Sequence, residues 1–208
     1  MCGIGGMLGQ PDEAVLSRMI DLLAHRGPDG RGIYSDDNCG LAHARLAILD
    51  VHGSKQPLYG EKSVAVVNGE IYNHQHLKNP SYPYRTSGDS ESILALHSQS
   101  QGESAADHAK WIAKLDGMFA FAVWSNKKLI LARDPMGIKP LVRTIIDDTL
   151  LFASEHKALR AHEGHIPEID DLAMRARIAW EYPLDATTLL KDVHQIRPGT
   201  VEVWELLG

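Results

Sequence analysis

Two apolar runs joined by a short polar connection constrain the fold of this chain more than any other feature. Residues 118–124 and 129–132 are rich in aromatic and branched side chains, and Ser-Asn-Lys-Lys separates them. This pattern predicts a β-hairpin, and a hairpin joins antiparallel strands. Further apolar runs predict short strands at residues 3–8, 32–35, 40–44, 64–67, 150–153 and 200–204.

Helical patterns lie between groups of these strands. Residues 11–26 carry an apolar stripe at helical spacing, with Pro11 suited to the first turn and Gly27 suited to the C-cap. Other helices are predicted at 90–98 with Asp89 as N-cap, and at 105–113, 155–160 and 170–180. Hairpin strands with clustered helices favour an antiparallel α+β fold over a doubly wound parallel sheet. Since repeats and linkers are absent, we expect one domain over residues 1–208.

Composition excludes several classes of function. The net charge of −6 argues against a nucleic-acid partner, and the longest apolar runs are far shorter than a membrane span. The first residues lack the basic region of a signal peptide, and two cysteines do not make a disulfide framework, so we expect a cytoplasmic protein with Cys39 in a strand. The eleven scattered histidines predict no metal site.

Nucleotide-binding loops are not expected either. The glycine patterns that cradle phosphates after a strand are missing from the sequence. Ser-Gly-Asp-Ser at 87–90 superficially resembles the pyrophosphate loop of ATP-cleaving amide-forming enzymes, but it lacks that loop's second glycine and spacing. We therefore expect no cofactor in this chain.

Cys2 directly follows Met1 and precedes a glycine-rich apolar strand. Removal of Met1 would leave a thiol and a free α-amine on one residue. The amine could then accept the thiol proton, so that a single residue supplies both a nucleophile and its base. A cysteine at position 2 arises by chance in many proteins, and its meaning depends on the rest of the sequence.

Five later segments combine glycine with polar residues at the ends of apolar runs, as a site requires and a plain core avoids. They are His-Arg-Gly-Pro-Asp-Gly at 25–30, His-Ala-Arg-Leu-Ala-Ile-Leu-Asp at 43–50, Asn-Gly-Glu-Ile-Tyr-Asn at 68–73, Ser-Gly-Asp-Ser-Glu at 87–91, and Arg-Asp-Pro-Met-Gly-Ile-Lys-Pro-Leu at 133–141. With Met-Cys-Gly-Ile at the start, these segments resemble the class II glutamine amidotransferases, in particular the glutaminase domain of asparagine synthetase B. The resemblance runs from Cys2 to about residue 160 and is weaker beyond it.

The resemblance implies a fold and a reaction. The fold is a four-layer αββα sandwich of two antiparallel sheets, the N-terminal nucleophile amidotransferase fold. Cys2 would attack the side-chain amide of L-glutamine, release ammonia and leave a thioester that water hydrolyses to glutamate. Asn68 and Gly69 would donate to the oxyanion, although an isolated Asn-Gly is more often a hairpin turn.

The resemblance also implies how a free amino acid is held. Arg45 would clamp the α-carboxylate, and Asp89 would hold the α-ammonium with help from Glu70. The backbone of Leu46, Ala47, Ile48 and Leu49 would line the same wall. Residues near the nucleophile, Arg26, Gly27, Ser87 and Gly88, would shape the pocket. The segment at 133–140 is expected to be structural, and residues 115–121 are expected in the core.

The ammonia would pass to a synthetase domain or subunit, with aspartate as the expected acceptor, and ATP and Mg are expected only in that partner. We expect no synthetase domain in these residues. Two alternatives stay open: a non-catalytic glutamine-binding module that regulates a separate synthetase, and an N-terminal nucleophile hydrolase acting on another amide. The presence of Cys2, Asn68 and Gly69 favours the enzyme, and Arg45 with Asp89 favours a free amino acid as substrate.

Overall fold

The computed structural model describes residues 1–182 and 184–206, which form eleven strands and five helices. The strands are Gly3–Leu8 (β1), Gly30–Ser35 (β2), Cys39–Arg45 (β3), Leu58–Tyr59 (β4), Ser63–Ile71 (β5), Gly117–Ser125 (β6), Lys128–Arg133 (β7), Val142–Ile146 (β8), Thr149–Ala153 (β9), His194–Gln195 (β10) and Val201–Glu205 (β11). The helices are Glu13–Leu23 (α1), Glu91–His97 (α2), Ala105–Ile112 (α3), His156–Leu159 (α4) and Asp171–Trp180 (α5). Across the described residues, we find no helix with the length and apolar character needed to cross a membrane.

The strands build two antiparallel sheets that face each other. The first sheet has the order β10-β8-β9-β1-β3-β2 and the second has the order β11-β7-β6-β5-β4. One apolar layer fills the space between the sheets, a second packs α1 and α4 on the first sheet, and a third packs α2 and α3 on the second. The predicted four-layer αββα arrangement is therefore confirmed.

The hairpin predicted from the sequence joins β6 to β7. Its turn is Asn126-Lys127, and both residues have left-handed backbone with φ of 50° and 60°. Two consecutive left-handed residues match the twist of the strands that they join. Asp147-Asp148, with φ of 46° and 60°, makes the same kind of turn between β8 and β9. The sequence prediction missed β8, as well as the two-residue strands β4 and β10.

The first helix is shorter than predicted. It begins at Glu13, and the Asp12 carboxylate caps it by accepting the Ala14 N–H at 2.7 Å, so that Pro11 lies before the helix. Gly27 is not the C-cap, because the helix ends at Leu23. Glycine at position 27 instead allows close packing against β3, where a Cβ atom would overlap the carbonyl group of Ala44.

The alternation of side chains along three strands places the candidate site. Ile4, Leu41 and Val66 point into the layer between the sheets. Since side chains on one face of a strand repeat every second residue, Cys2, Arg45 and Asn68 continue the same three rows. The register pairs Gly3 with Ala44, which sets Cys2 beside Arg45 at one end of the layer.

Candidate active site

A cleft of about 150 Å³ opens at this end of the layer between the sheets. Nine of the residues predicted from the sequence line it: Cys2, Arg45, Leu46, Ile48, Leu49, Asn68, Gly69, Glu70 and Asp89. Seven lining residues were not predicted: Met1, Ser54, Gln56, Val67, Ser90, Met118 and Lys139. The structure therefore brings together residues that lie far apart in the sequence, such as Cys2 and Lys139, which are 137 positions apart.

Cys2 carries a free, partly buried thiol. The Leu46 N–H donates to Cys2 Sγ at 3.4 Å, and Sγ lies 3.6 Å from the Leu46 carbonyl oxygen. On the other side, Arg26 Nε donates to the Cys2 carbonyl oxygen at 2.9 Å. These contacts fix the thiol at the wall of the cleft. Met1 lines the same cleft and is 54% exposed.

Arg26 lies behind the nucleophile and does not line the cleft. Its Nη1 donates to Glu155 Oε1 at 2.8 Å, and His25 Nε2 lies 3.1 Å from the same oxygen. Burial alone would raise the Glu155 pKa, but hydrogen bonds from Arg26 and His25 outweigh it and lower the pKa below its ordinary value. An ionised Glu155 holds the Arg26 guanidinium against the Cys2 carbonyl, so Arg26 shapes the site indirectly.

Asn68 supplies a buried donor without a partner. It lies within β5, so the Asn-Gly pair is not a hairpin turn. The side chain is 1% exposed, and among the described residues its Nδ2 finds no hydrogen-bond acceptor. Because a buried amide without a partner costs free energy, such a group in a cleft indicates a position for a ligand oxygen.

Gly69 supplies a second donor through its backbone. It faces Phe119 in the β5–β6 register, but the Phe119 N–H and carbonyl oxygen are both bonded to Asp134, at 3.2 and 2.8 Å. Facing residues in an antiparallel pair either exchange both bonds or neither, so this pair exchanges none. The Gly69 N–H therefore points to the opposite edge of β5, where the pairing with β4 has ended at Ala65.

Arg45 lies at the end of β3 and is 8% exposed. Its Nη1 and Nη2 donate to the carbonyl oxygens of Val51 and Asp50, both at 2.8 Å. A guanidinium carries five N–H groups, so these two bonds leave donors for another oxygen ligand. The same bonds hold the loop over residues 46–54 at the rim, where Ile48 is 66% exposed.

Asp50 ties that rim loop to the loop before α2. Its carboxylate accepts the Ser87 N–H at 3.0 Å and the Ser54 hydroxyl at 2.9 Å. These bonds, with the one from Ser87 as the largest effect, lower the Asp50 pKa. Gly88 lets the two loops meet, because a Cβ atom there would overlap Ser54 Oγ. Ser87 and Gly88 thus act behind the wall of the cleft and not on it.

Asp89 does not cap α2 as the sequence predicted. Helix α2 begins at Glu91 after Ser90, and the Asp89 carboxylate instead accepts the Ile71 N–H through Oδ2 at 2.7 Å. The residue is 6% exposed and lines the cleft beside Glu70. This bond across 18 residues outweighs the local capping pattern, and it places a buried carboxylate in the cleft that Arg45 also lines.

Ala47 was predicted to line the cleft, but it does not. Its N–H donates to Asp29 Oδ2 at 2.8 Å, and this bond anchors the start of the rim loop to the residues before β2. Leu46, Ile48 and Leu49 of the same loop do line the cleft.

The segment at 133–140 is structural, as predicted, with one exception. The Asp134 carboxylate accepts the backbone N–H groups of Phe119, Met136, Ile138 and Lys139, and Arg133 donates to the carbonyl oxygens of Gly137, Lys139 and Ile196. Lys139, however, lines the cleft and is 4% exposed. Met118 was likewise expected in the core and lies on the wall of the cleft.

Comparison with known proteins agrees with this geometry. The sequence model of the glutamine amidotransferase domain family matches residues 1–206. This chain belongs to that family. The resemblance to class II glutamine amidotransferases is therefore confirmed.

Curated relatives of this glutamine amidotransferase domain are larger proteins. Asparagine synthetase [glutamine-hydrolyzing] 1 of Bacillus subtilis is 35% identical over 96% of this chain and 33% of its own length. Asparagine synthetase B [glutamine-hydrolyzing] of Escherichia coli is 42% identical over 76% of this chain and 30% of its own length. Asparagine synthetase [glutamine-hydrolyzing] 2 of Arabidopsis thaliana is 47% identical over 76% and 28%. The chain thus spans about a third of the length of these relatives.

Solved structures agree on the fold. The allosteric regulatory enzyme of purine biosynthesis superposes with a TM-score of 0.68 and 22% identity, over 77% of this chain and 43% of that one. The glutamine phosphoribosylpyrophosphate amidotransferase of Bacillus subtilis gives 0.66 and 21%, over 81% and 45%. At this level of identity the likeness shows a shared αββα fold and nothing more.

Proposed function

We propose that this domain hydrolyses L-glutamine to glutamate and ammonia through a thioester on Cys2. One observation carries the proposal: a free thiol shares a small cleft with Asn68 Nδ2, which finds no acceptor among the described residues, and with the Gly69 N–H, which points away from β6. An acyl-transfer site needs this combination of a nucleophile and donors for the developing oxyanion.

The nucleophile needs a base, and the proposal assigns that role to the α-amine of Cys2 after Met1 is removed. The amine takes the thiol proton, and sulfur attacks the side-chain amide carbon of glutamine. The carbonyl oxygen becomes an oxyanion that accepts hydrogen bonds from Asn68 and Gly69. The proton then passes to the leaving nitrogen, the C–N bond breaks, and ammonia departs.

The second half of the reaction uses water. The α-amine takes a proton from water, whose oxygen attacks the thioester carbon and forms a second oxyanion on the same donors. The C–S bond breaks and the thiolate regains its proton, so that glutamine and water become glutamate and ammonia.

The charged groups of the cleft suit a free amino acid. Arg45 retains N–H donors for an α-carboxylate, and Asp89 and Glu70 offer carboxylates to an α-ammonium. The guanidinium and the carboxylates of the cleft would hold the backbone end of glutamine and direct its amide toward Cys2. A peptide substrate would lack these two charges.

The ammonia is proposed to pass to a synthetase, with aspartate as its acceptor. The names of the three curated relatives support this part, since each describes an asparagine synthetase that hydrolyses glutamine. ATP and Mg would act in that synthetase and take no part in the steps above. A cytoplasmic location belongs to the same proposal, because both cysteines are free thiols.

The test is the intact mass of the purified protein before and after 6-diazo-5-oxo-norleucine, together with glutamate release. We expect loss of Met1, one adduct that glutamine blocks, and no adduct or glutamate from Cys2→Ala. The matched control is Cys39→Ala, since Cys39 is the buried thiol of β3 and should not affect labelling. A processed protein that forms no adduct and releases no glutamate would contradict the proposal and favour a glutamine-binding module.

A further inference from the structure

The outer edge of β5 changes partners partway along the strand. At its start, β4 pairs with Val64 and Ala65 and then ends. Beyond Ala65 this edge faces the cleft, and side chains replace the missing strand. An unpaired strand edge exposes backbone groups that must find other partners.

At Val67, the Gln56 side chain supplies the hydrogen bonds that a neighbouring strand would make. The Val67 N–H donates to Gln56 Oε1 at 2.6 Å, and Gln56 Nε2 donates to the Val67 carbonyl oxygen at 3.1 Å. One carboxamide thus satisfies both backbone groups of a single residue, as a residue of a neighbouring strand would. Gln56 lies two residues before β4. Its side chain therefore occupies the place beside Val67 that the backbone of a longer β4 would fill.

His43 holds the same carbonyl from within the sandwich. It is fully buried on β3, and its Nε2 lies 3.2 Å from the Val67 carbonyl oxygen. Burial lowers the His43 pKa to about 4, so the ring is neutral near pH 7. Because a carbonyl oxygen only accepts, Nε2 carries the ring proton.

This edge therefore has a repeating arrangement around the proposed oxyanion site. Gln56 accepts the Val67 N–H, Asp89 accepts the Ile71 N–H at 2.7 Å, and the Gly69 N–H lies between them. All three N–H groups point the same way, since alternate residues of a strand share an edge. The two outer groups are fixed by side chains, and the middle one faces the cleft.

We infer that Gln56 is a positioning residue that fixes the Val67 backbone and thereby aims Asn68 Nδ2 and the Gly69 N–H at the reacting carbonyl. The inference rests on the proposed glutaminase function. Val67 directly precedes Asn68, and Gly69 follows Asn68, so a tilt of the Val67 peptide group would move both donors together. A misplacement of about 1 Å at a reacting centre lowers the rate by up to about 100-fold.

The test replaces Gln56 with leucine, which has a similar size and neither hydrogen bond. We expect kcat for glutamate release to fall by about 10- to 100-fold with KM within about threefold, since Arg45 and Asp89 stay in place. Amide hydrogen exchange, followed by NMR, should quicken at Val67 and stay unchanged at Ala65. Gln75→Leu, at an exposed position away from the cleft, is the matched control.

A second variant separates positioning from folding. Gln56→Glu keeps an acceptor for the Val67 N–H, so we expect its Val67 amide to exchange more slowly than in Gln56→Leu.

If the wild type releases glutamate but Gln56→Leu retains kcat within twofold, the inference is wrong and the proposed function stands. A wild type that releases none contradicts the proposed function, and Val67 exchange that is unchanged in Gln56→Leu overturns the inference in either case.

Discussion

Two concave regions of this molecule differ in size and in the state of their polar groups. A groove of about 630 Å³ lies between the outer edge of the second sheet and helices α2 and α3, whereas the candidate cleft holds about 150 Å³. In the groove, His108 Nδ1 accepts the Trp111 indole N–H at 3.1 Å, and the Ser125 hydroxyl donates to the Lys62 carbonyl oxygen at 3.0 Å. In the cleft, the buried Asn68 Nδ2 has no acceptor among the described residues.

The difference teaches that volume alone does not identify a site. Paired polar groups, like those of the groove, satisfy one another and stabilise the fold. An unpaired buried donor costs free energy, and a ligand that accepts its hydrogen bond removes that cost. Substitutions in the cleft should therefore change catalysis, while those in the groove should change only stability.

The largest effect is expected at the unpaired amide. Asn68→Ala removes one oxyanion donor, so kcat for glutamate release should fall by about 10²- to 10³-fold. KM should change little, because Asn68 would interact with the transition state more strongly than with the substrate. The measurement is steady-state glutamate release over a range of glutamine concentrations.

Asn79→Ala is the matched control, since Asn79 lines the groove and its carboxamide accepts the Ser81 N–H at 3.0 Å. Its kinetic constants should equal those of the wild type. If kcat fell equally in Asn68→Ala and Asn79→Ala, the proposed distinction between a catalytic cleft and a structural groove would be wrong.

A smaller effect is expected at Arg45, the proposed ligand of the substrate α-carboxylate. Arg45→Lys keeps the charge but loses the forked donor set that suits a carboxylate, and it also releases the Asp50 and Val51 carbonyl oxygens. We expect KM for glutamine to rise by about 10- to 100-fold, the equivalent of one charged hydrogen bond, with a smaller change in kcat. Arg85→Lys, on the exposed rim of the groove, should leave KM unchanged. A fall in kcat without a rise in KM would mean that Arg45 does not bind the substrate carboxylate.

Many of the strands and helices could be predicted, because each depends on a pattern among neighbouring residues. The β6–β7 hairpin and the apolar runs of β1, β3 and β5 follow from neighbouring residues, whereas the two facing sheets were expected from the resemblance to class II glutamine amidotransferases. The two-residue strands β4 and β10 are too short to show a period. The Asp147-Asp148 turn between β8 and β9 was a signal that could have revealed β8.

The site was only partly predictable, because some of its contacts join distant segments. Asp89 has a local capping pattern, but the Ile71 N–H from β5 binds its carboxylate. Gln56 carries no motif, and Lys139 belongs to the segment at 133–140 that was expected to be structural. Gln56 reaches the cleft because β4 begins only at Leu58, and Lys139 reaches it because Asp134 fixes the turn after β7. The roles of the predicted residues in catalysis stay predictions until the variants are measured.

The smallest effect is expected in the groove, where a titration should affect stability and leave catalysis unchanged. Burial, together with the neighbouring His108, lowers the His97 pKa to about 4, against about 6.5 in the unfolded chain. The folded state therefore favours neutral His97, so its contribution is present above about pH 6.5 and is lost as the pH falls toward 4. His97→Phe keeps an aromatic ring on His108, which lies 5.7 Å away, but cannot titrate.

Urea unfolding at pH 7 and pH 5 measures this contribution. Between these pH values the variant should lose about 1 kcal/mol less stability than the wild type, a figure reduced for the partial exposure of His97. Glutamate release at pH 7 should be unchanged, because the groove takes no part in the proposed reaction. His76→Phe, at an exposed histidine, should show the full wild-type loss. His97→Phe could lose as much stability between pH 7 and pH 5 as the wild type, or it could lower kcat. Either result would mean that the groove does not have a purely structural role.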